Sequence, residues 1–283
     1  MSRKRVVLSG YATLDYVAQL SGPFHAGCTL DARMGVAGAW PRAGGAVLYA
    51  ARRIAAAGHA AYPAIRIGED ADELALLADC ERSGLETGAI ERDAAARTAR
   101  CLLIYDEAGG STCLLDPGDA DATSLSAAQI AALESADHVC ITAGAAPLAQ
   151  QILDRCPAGA TLSWIAKLDH ACFTPKLRHR LAARAGLIFC NGGERDFVDA
   201  SFAAPRRADQ IIVQTMGAQG VLIDRTEGSR TLPADPIAVV DATGAGDTLA
   251  GQVIASHVCD GIGIEEAVRQ GMEAARALLA DRH

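Results

Sequence analysis

The segment Asp241-Ala242-Thr243-Gly244-Ala245-Gly246-Asp247 places small residues between two carboxylates. Such a run lets the backbone turn sharply and leaves the amides of Gly244, Ala245, Gly246 and Asp247 free to face an anion. Residues 237–240, Ile-Ala-Val-Val, read as a strand before the turn. Residues 248–258 read as a helix after it, with positions 249, 253, 254, 257 and 258 on its inner face. A helix start adds about half a positive charge to such an anion site. A carboxylate there would repel the anion, so Asp247 makes chemical sense as a general base facing a hydroxyl that attacks a phosphate held by the turn. The competing reading is structural: Asp is a favoured helix cap.

Two other phosphate loops are excluded. No glycine cluster is followed by the lysine of G-x-x-x-x-G-K-[ST]. The turn also lacks the third glycine of G-x-G-x-x-G and lies far from the first strand, which disfavours a dinucleotide site. The seven histidines show no H-x-x-x-H spacing, and the nine cysteines form no C-x-x-C pair. Neither a histidine metal site nor a disulfide framework is indicated, and reduced thiols point to the cytoplasm. A net charge of −8 argues against a nucleic-acid or anionic-membrane surface, so a bound phosphate must be held locally. Charges or prolines interrupt every apolar stretch before the roughly 18 residues that a membrane helix needs.

The elements that must position the turn follow from periodicity. Apolar runs at residues 5–8, 61–67, 139–141, 187–190 and 211–215 alternate with helical patterns at 45–57, 71–83, 145–154 and 266–279. That alternation implies βαβ units and an α/β fold with a largely parallel sheet, in one domain over 1–283. Residues 15–42 and 97–115 break the rhythm. The second reads as a hairpin, with strands at 98–106 and 111–115 around residues 107–110, and the two segments together can form a small β-sheet over the core.

The turn followed by a small-residue helix resembles the carboxyl-terminal signature of the ribokinase-like, or PfkB, carbohydrate kinase family. Other pieces stand in that family's order: Gly10 to Asp15, Gly44-Gly45, Gly68-Glu69-Asp70, Asn191-Gly192-Gly193-Glu194, and Thr215 to Gly220. The resemblance implies a three-layer αβα core with a small β-sheet lid, ATP and Mg2+ as reactants, and a homodimer paired through the lid. It implies Asp247 as the base and Gly244, Ala245 and Gly246 as the anion hole. Asn191 and Glu194 match an N-x-x-E device that organises magnesium, Glu194 acting through water, and oxygen ligands with retained waters suit that ion. Thr215, Gly217 and Gly220 match the nucleotide loop, which also reads as a plain hairpin. Asp241 and Thr243 match positions where many relatives hold a monovalent cation such as K+.

On the acceptor side the resemblance assigns Asp15, Gly44 and Gly45 to substrate hydroxyls, and here the chain departs from the family. Thr13 stands where many sugar kinases have Asn, Leu48-Tyr49 where they have another Asn, and Ser163 to Lys167 replaces a D-P-N-like segment. Tyr49, with Tyr11 and Trp40, could wall a nucleobase, or Tyr49 could point into the core. Arg42 could meet a phosphosugar or lie at the surface. Three readings therefore stand: a kinase for a sugar or ribosyl compound, a nucleoside kinase, and a non-catalytic binding protein of the same fold.

Overall fold

A computed structural model describes residues 2–23, 27–106, 110–118 and 123–282, so residues 107–109 of the expected hairpin connection, His25 and His283 lie outside the described residues. In chain order the elements begin β1 (Arg5–Ser9), β2 (Thr13–Leu20), β3 (Ala32–Met34), β4 (Arg42–Gly44), α1 (Ala46–Ala56), β5 (Ala60–Ala64), β6 (Arg66–Gly68) and α2 (Glu73–Arg82). Then come β7 (Glu91–Asp93), β8 (Ala99–Tyr105), β9 (Ser111–Asp116), α3 (Ala127–Glu134), β10 (His138–Ile141), α4 (Ala146–Arg155), β11 (Thr161–Ile165) and α5 (Pro175–Arg184). The last third holds β12 (Leu187–Asn191), α6 (Arg195–Asp199), β13 (Ile211–Thr215), β14 (Val221–Arg225), β15 (Gly228–Leu232), α7 (Ala245–Val253) and α8 (Ile264–Ala280).

The main sheet has eight strands in the order β15-β14-β13-β12-β11-β10-β1-β5. The six from β13 to β5 run parallel, and β14 and β15 return antiparallel. Its strands are apolar on both faces because both are covered. Val6, Leu8, Cys140, Leu187, Phe189 and Val213 pack with α1, α7 and α8 on one side. Their sequence neighbours Val7, Val139, Ile141, Ile188 and Ile212 pack with α3, α4 and α5 on the other. A period of two residues thus feeds two cores.

The two segments that break the βαβ rhythm meet in a second sheet, β3-β2-β8-β9, with β4 also on β2. β2 and β8 pair in parallel from Thr13↔Ala99 to Gln19↔Tyr105. β8 and β9 form the expected antiparallel pair. Among the described residues no helix is long and apolar enough to cross a membrane.

Two local expectations are corrected. Residues 237–240 are irregular rather than a strand. Pro233 and Pro236 withhold backbone donors there, and Ile237 and Val239 line a cavity instead of joining a sheet. The helix over 248–258 also changes type, because α7 ends at Val253 and a π-helical turn covers Ile254–Cys259. The wider turn rotates Ala255, Ser256 and Cys259 inward and leaves His257 and Val258 half-buried.

One core histidine carries a pH signature. His138 is buried between the Thr161 hydroxyl, 2.7 Å from Nδ1, and the Ser163 hydroxyl, 2.9 Å from Nε2. Burial pushes its pKa down to about 3, so the fold holds it neutral. Unfolded, the imidazole takes a proton near pH 6.5, so its contribution is present above that pH and is lost toward pH 3. Chemical denaturation between pH 7 and 4 should show stability falling by up to about 1.4 kcal/mol per pH unit from this group, and His138→Gln should remove that part of the slope.

Candidate active site

The anion turn is built as its composition requires. Gly244 caps α7 in the left-handed region at φ 74°, and a Cβ there would lie 2.5 Å from the Tyr49 ring. Asp247 is the third residue of α7 and does not cap it. Ala245 N–H donates to the Ala242 carbonyl at 3.2 Å, so that amide is engaged and not free. The N–H groups of Gly244, Gly246 and Asp247 find no protein acceptor among the described residues and stay available to a ligand.

Beneath the turn, Asp241 is 0% exposed. Arg42 Nη2 donates to its Oδ2 at 2.7 Å, Tyr105 hydroxyl to Oδ1 at 3.0 Å, and Thr243 N–H to Oδ1 at 2.9 Å. Arg282 approaches Oδ2 at 3.3 Å. Burial pushes the Asp241 pKa up, but the bonds from Thr243 and Arg42, with the Arg282 charge, outweigh it and hold the carboxyl below its ordinary value. Arg42 is thus a partly buried residue engaged with the turn. It fastens the turn to β4.

At the carboxyl ends of the parallel strands, where α/β sheets bind ligands, the remaining residues converge. Asn191 closes β12 and forms a reciprocal cap with Glu194: Asn191 N–H donates to Oε2 at 2.8 Å, and Glu194 N–H to Asn191 Oδ1 at 3.0 Å. Thr215 ends β13, and Gly217 and Gly220 bracket the connection to β14, a hairpin as well as a loop over the cavity. Lys167, two residues past β11, sets Nζ 3.2 Å from Asp247 Oδ1. Burial opposes its charge, but the Asp247 and Glu194 carboxylates prevail and raise its pKa. Glu194 itself is shifted up, because burial outweighs the pull of Lys167 and of the Asn191 amide.

One cavity of about 1410 Å³ joins these parts. Its walls include Lys167, Asn191, Glu194, Thr215, Gly217, Gly220 and Thr243 through Asp247. The second sheet contributes Leu103, Tyr105, Ser111 and Cys113, and α8 contributes Arg269, Met272 and Arg276. Asp15, Gly44, Gly45, Tyr49 and Asp241 form a packed layer outside that lining. Asp15 fills the space a Gly44 Cβ would need, only 1.9 Å from its Oδ2. Thr13 hydroxyl donates to Asp15 Oδ1 at 2.7 Å and Tyr49 hydroxyl to Oδ2 at 3.5 Å. Burial lifts the Asp15 carboxyl to about 6 against the Thr13 bond and the Arg42 charge. Trp40 lies edge-on to Tyr16, their ring centres 5.2 Å apart, and Tyr11 packs against the core on the α3–α5 side of the main sheet.

Sequence reasoning missed Lys167, Tyr105 and Arg282. A lysine two residues past an apolar strand of a parallel sheet was a usable signal for the first. Nothing local marks the other two, which reach Asp241 from 136 and 41 residues away.

A doubly covered parallel sheet, ending in a glycine turn with a carboxylate one helical turn on and faced by a second small sheet, defines a ribokinase-like phosphotransferase fold. The same fold appears in the ADP complex of ribokinase from Cryptococcus neoformans, with a TM-score of 0.80 and 20% identity over 96% of this chain and 92% of that one. The chain belongs to the pfkB family of carbohydrate kinases, whose family model matches residues 33–282. It is 25% identical to an uncharacterized sugar kinase of Archaeoglobus fulgidus over 223 residues, 73% of this chain and 86% of that protein. It is 35% identical to a cytidine kinase of Thermococcus kodakarensis over 114 residues, 36% of this chain and 40% of that protein. Kinases of this family use ATP with Mg2+.

The turn makes a paired prediction. Gly244→Ala meets both the positive φ and the Tyr49 ring, and should cost about 1–3 kcal/mol of stability together with activity. A Cβ on Gly246 meets nothing within 4 Å, so Gly246→Ala should keep the melting temperature. Isothermal titration with ATP of the stable Gly246→Ala variant should then show weaker binding than wild type, which tests the turn as an anion site apart from its role in folding.

Proposed function

We propose that this kinase transfers the γ-phosphoryl group of ATP to a primary hydroxyl of a sugar or other ribosyl compound, with Asp247 as general base. The observation that carries the reading is the placement of a buried carboxylate beside unpaired amides at the start of α7, facing the cavity. Asp247 takes the hydroxyl proton as the acceptor oxygen bonds to the γ-phosphorus. The bond from that phosphorus to the bridging oxygen breaks, and ADP leaves with the electron pair. The Gly244, Gly246 and Asp247 amides hold the charge on the moving group. Lys167 holds the Asp247 side chain before substrate enters and supplies a cation to the phosphoryl oxygens afterwards.

The donor set suits magnesium. Glu194 and Asp247 open on the same cavity, and a cation that keeps most of its waters needs few protein oxygens. When bound, the ion would offset the negative charge of the ATP phosphates. Glu194, oriented by Asn191, is the residue that would hold it through water.

The similarity to a cytidine kinase and the scarcity of Asn on the acceptor side favour a nucleoside as the second reading. ADP release from a panel of sugars, phosphosugars and nucleosides separates the two, and nucleotide binding without release from any member would overturn both. Asp247→Asn should lower kcat at least about a hundredfold while ATP binding persists. Lys167→Met should lower kcat more than it raises KM for ATP, since its charge acts on the transferring group. The second sheet is read as a lid that also pairs two copies, because Met34, Trp40 and Leu114 are 61%, 47% and 53% exposed on it. Light scattering should give twice the chain mass, and Leu114→Glu should return it to the monomer value.

A further inference from the structure

Two backbone carbonyls and one carboxylate of the anion turn converge on a single side chain. Arg282 Nη1 donates to the Asp241 carbonyl at 3.1 Å and to the Thr243 carbonyl at 2.5 Å, and lies 3.3 Å from Asp241 Oδ2. Its Nη2 donates to the Tyr49 hydroxyl at 3.2 Å. The guanidinium is buried, with its carbon 5.8 Å from the centre of the Tyr49 ring. Converging carbonyls beside a buried carboxylate make a cation site, and the positions are those where the family resemblance suggests a monovalent ion.

A potassium ion does not fit these residues as they stand. Asp241 Oδ2 already serves Arg42 and Arg282, and Oδ1 serves Tyr105 and the Thr243 amide. Both carbonyls are held by Nη1 of Arg282. An added ion would have to share these oxygens with a guanidinium at contact distance, a like-charge encounter in a buried setting.

We infer that Arg282 is the resident cation of this turn, a positioning residue that aims the amides of Gly244, Gly246 and Asp247 and frees the kinase from any requirement for a monovalent ion. The geometry gives it that leverage. One nitrogen holds the carbonyls on the amino side of Gly244, and the other holds the Tyr49 hydroxyl, whose ring packs under Gly244 itself. The activity arm of the test rests on the kinase reading, whereas the stability arm does not.

ADP release by the wild-type chain should agree within about twofold in potassium, sodium and tetramethylammonium chloride at equal ionic strength, while Arg282→Ala should lose about tenfold or more in kcat and regain part of it in potassium or guanidinium. Arg282→Lys should stay closer to wild type than Arg282→Ala. In parallel, the melting temperature of the wild type should be the same in all three salts, and that of Arg282→Ala should be lower and rise selectively with potassium or guanidinium. Activation of the wild type by potassium above about fivefold, or a selective rise in its melting temperature, overturns the inference. So does an Arg282→Ala variant indifferent to every added cation in both arms. Should that variant not fold, the wild-type comparison across salts decides. Absence of ADP release in every salt, with the expected pattern of melting temperatures, would remove the kinase reading and keep the resident cation.

Discussion

The catalytic end depends on the pairing of one carboxylate that water does not reach. A buried Asp must be matched by donors or it neutralises or unfolds its surroundings, and losing one partner of such a charge typically costs about 3–5 kcal/mol. Asp241 draws its donors from β4, from the end of β8, from the second residue after α8 and from its own turn. The second sheet, the last helix and the anion turn are therefore gathered on one point. The same point carries contacts onward: Arg282 touches Tyr49, Tyr49 touches Asp15, and Asp15 packs on Gly44, an unbroken layer from the glycine turn to β4.

Charge at the cavity is arranged by sign and distance rather than by excess. The chain carries a net −8, yet the amides at the head of α7, Lys167 and the α8 arginines 269 and 276 present positive potential to one space. Two carboxylates, Asp247 and Glu194, face the same space with Lys167 beside them. A polyanion entering there meets donors fixed before it arrives, which is the condition for electrostatic stabilisation without reorganisation.

What the sequence disclosed and what it withheld divide along a physical line. Residues whose role is set by local backbone were legible: the glycine turn and the alternation that feeds two cores need only near neighbours to be recognised, whereas Asn191 and Glu194 were marked by their motif but not as the reciprocal cap they form. The parallel sheet followed from βαβ spacing, and the second sheet from two segments that broke it. The misread elements were those where local propensity was outweighed. Residues 237–240 have strand composition but lie between prolines and a cavity, and the helix after Asp247 widens at Ile254. Partners brought in from a distance, such as Arg282, Tyr105 and the inward turn of Arg42, have no periodicity to betray them. For the same reason Tyr49 carried two open readings, and its packing under Gly244 favours the core.

The parallel pairing of β2 with β8 has a consequence for how the chain reaches this state. Thr13–Leu20 and Ala99–Tyr105 are joined by no tight turn, so their ladder can close only after the intervening chain has condensed. Loop closure of that span comes before any reward from strand pairing, which places the second sheet among the late-forming parts, whereas the β8–β9 pair can form at once from neighbouring residues. Until β2 arrives, the β8 edge of that pair is bare as well as the outer edge of β9, which carries the exposed Leu114 and Leu115 and stays unpaired in the finished sheet. The sheet that walls the cavity is thus also the part of the molecule most exposed to misassembly during synthesis.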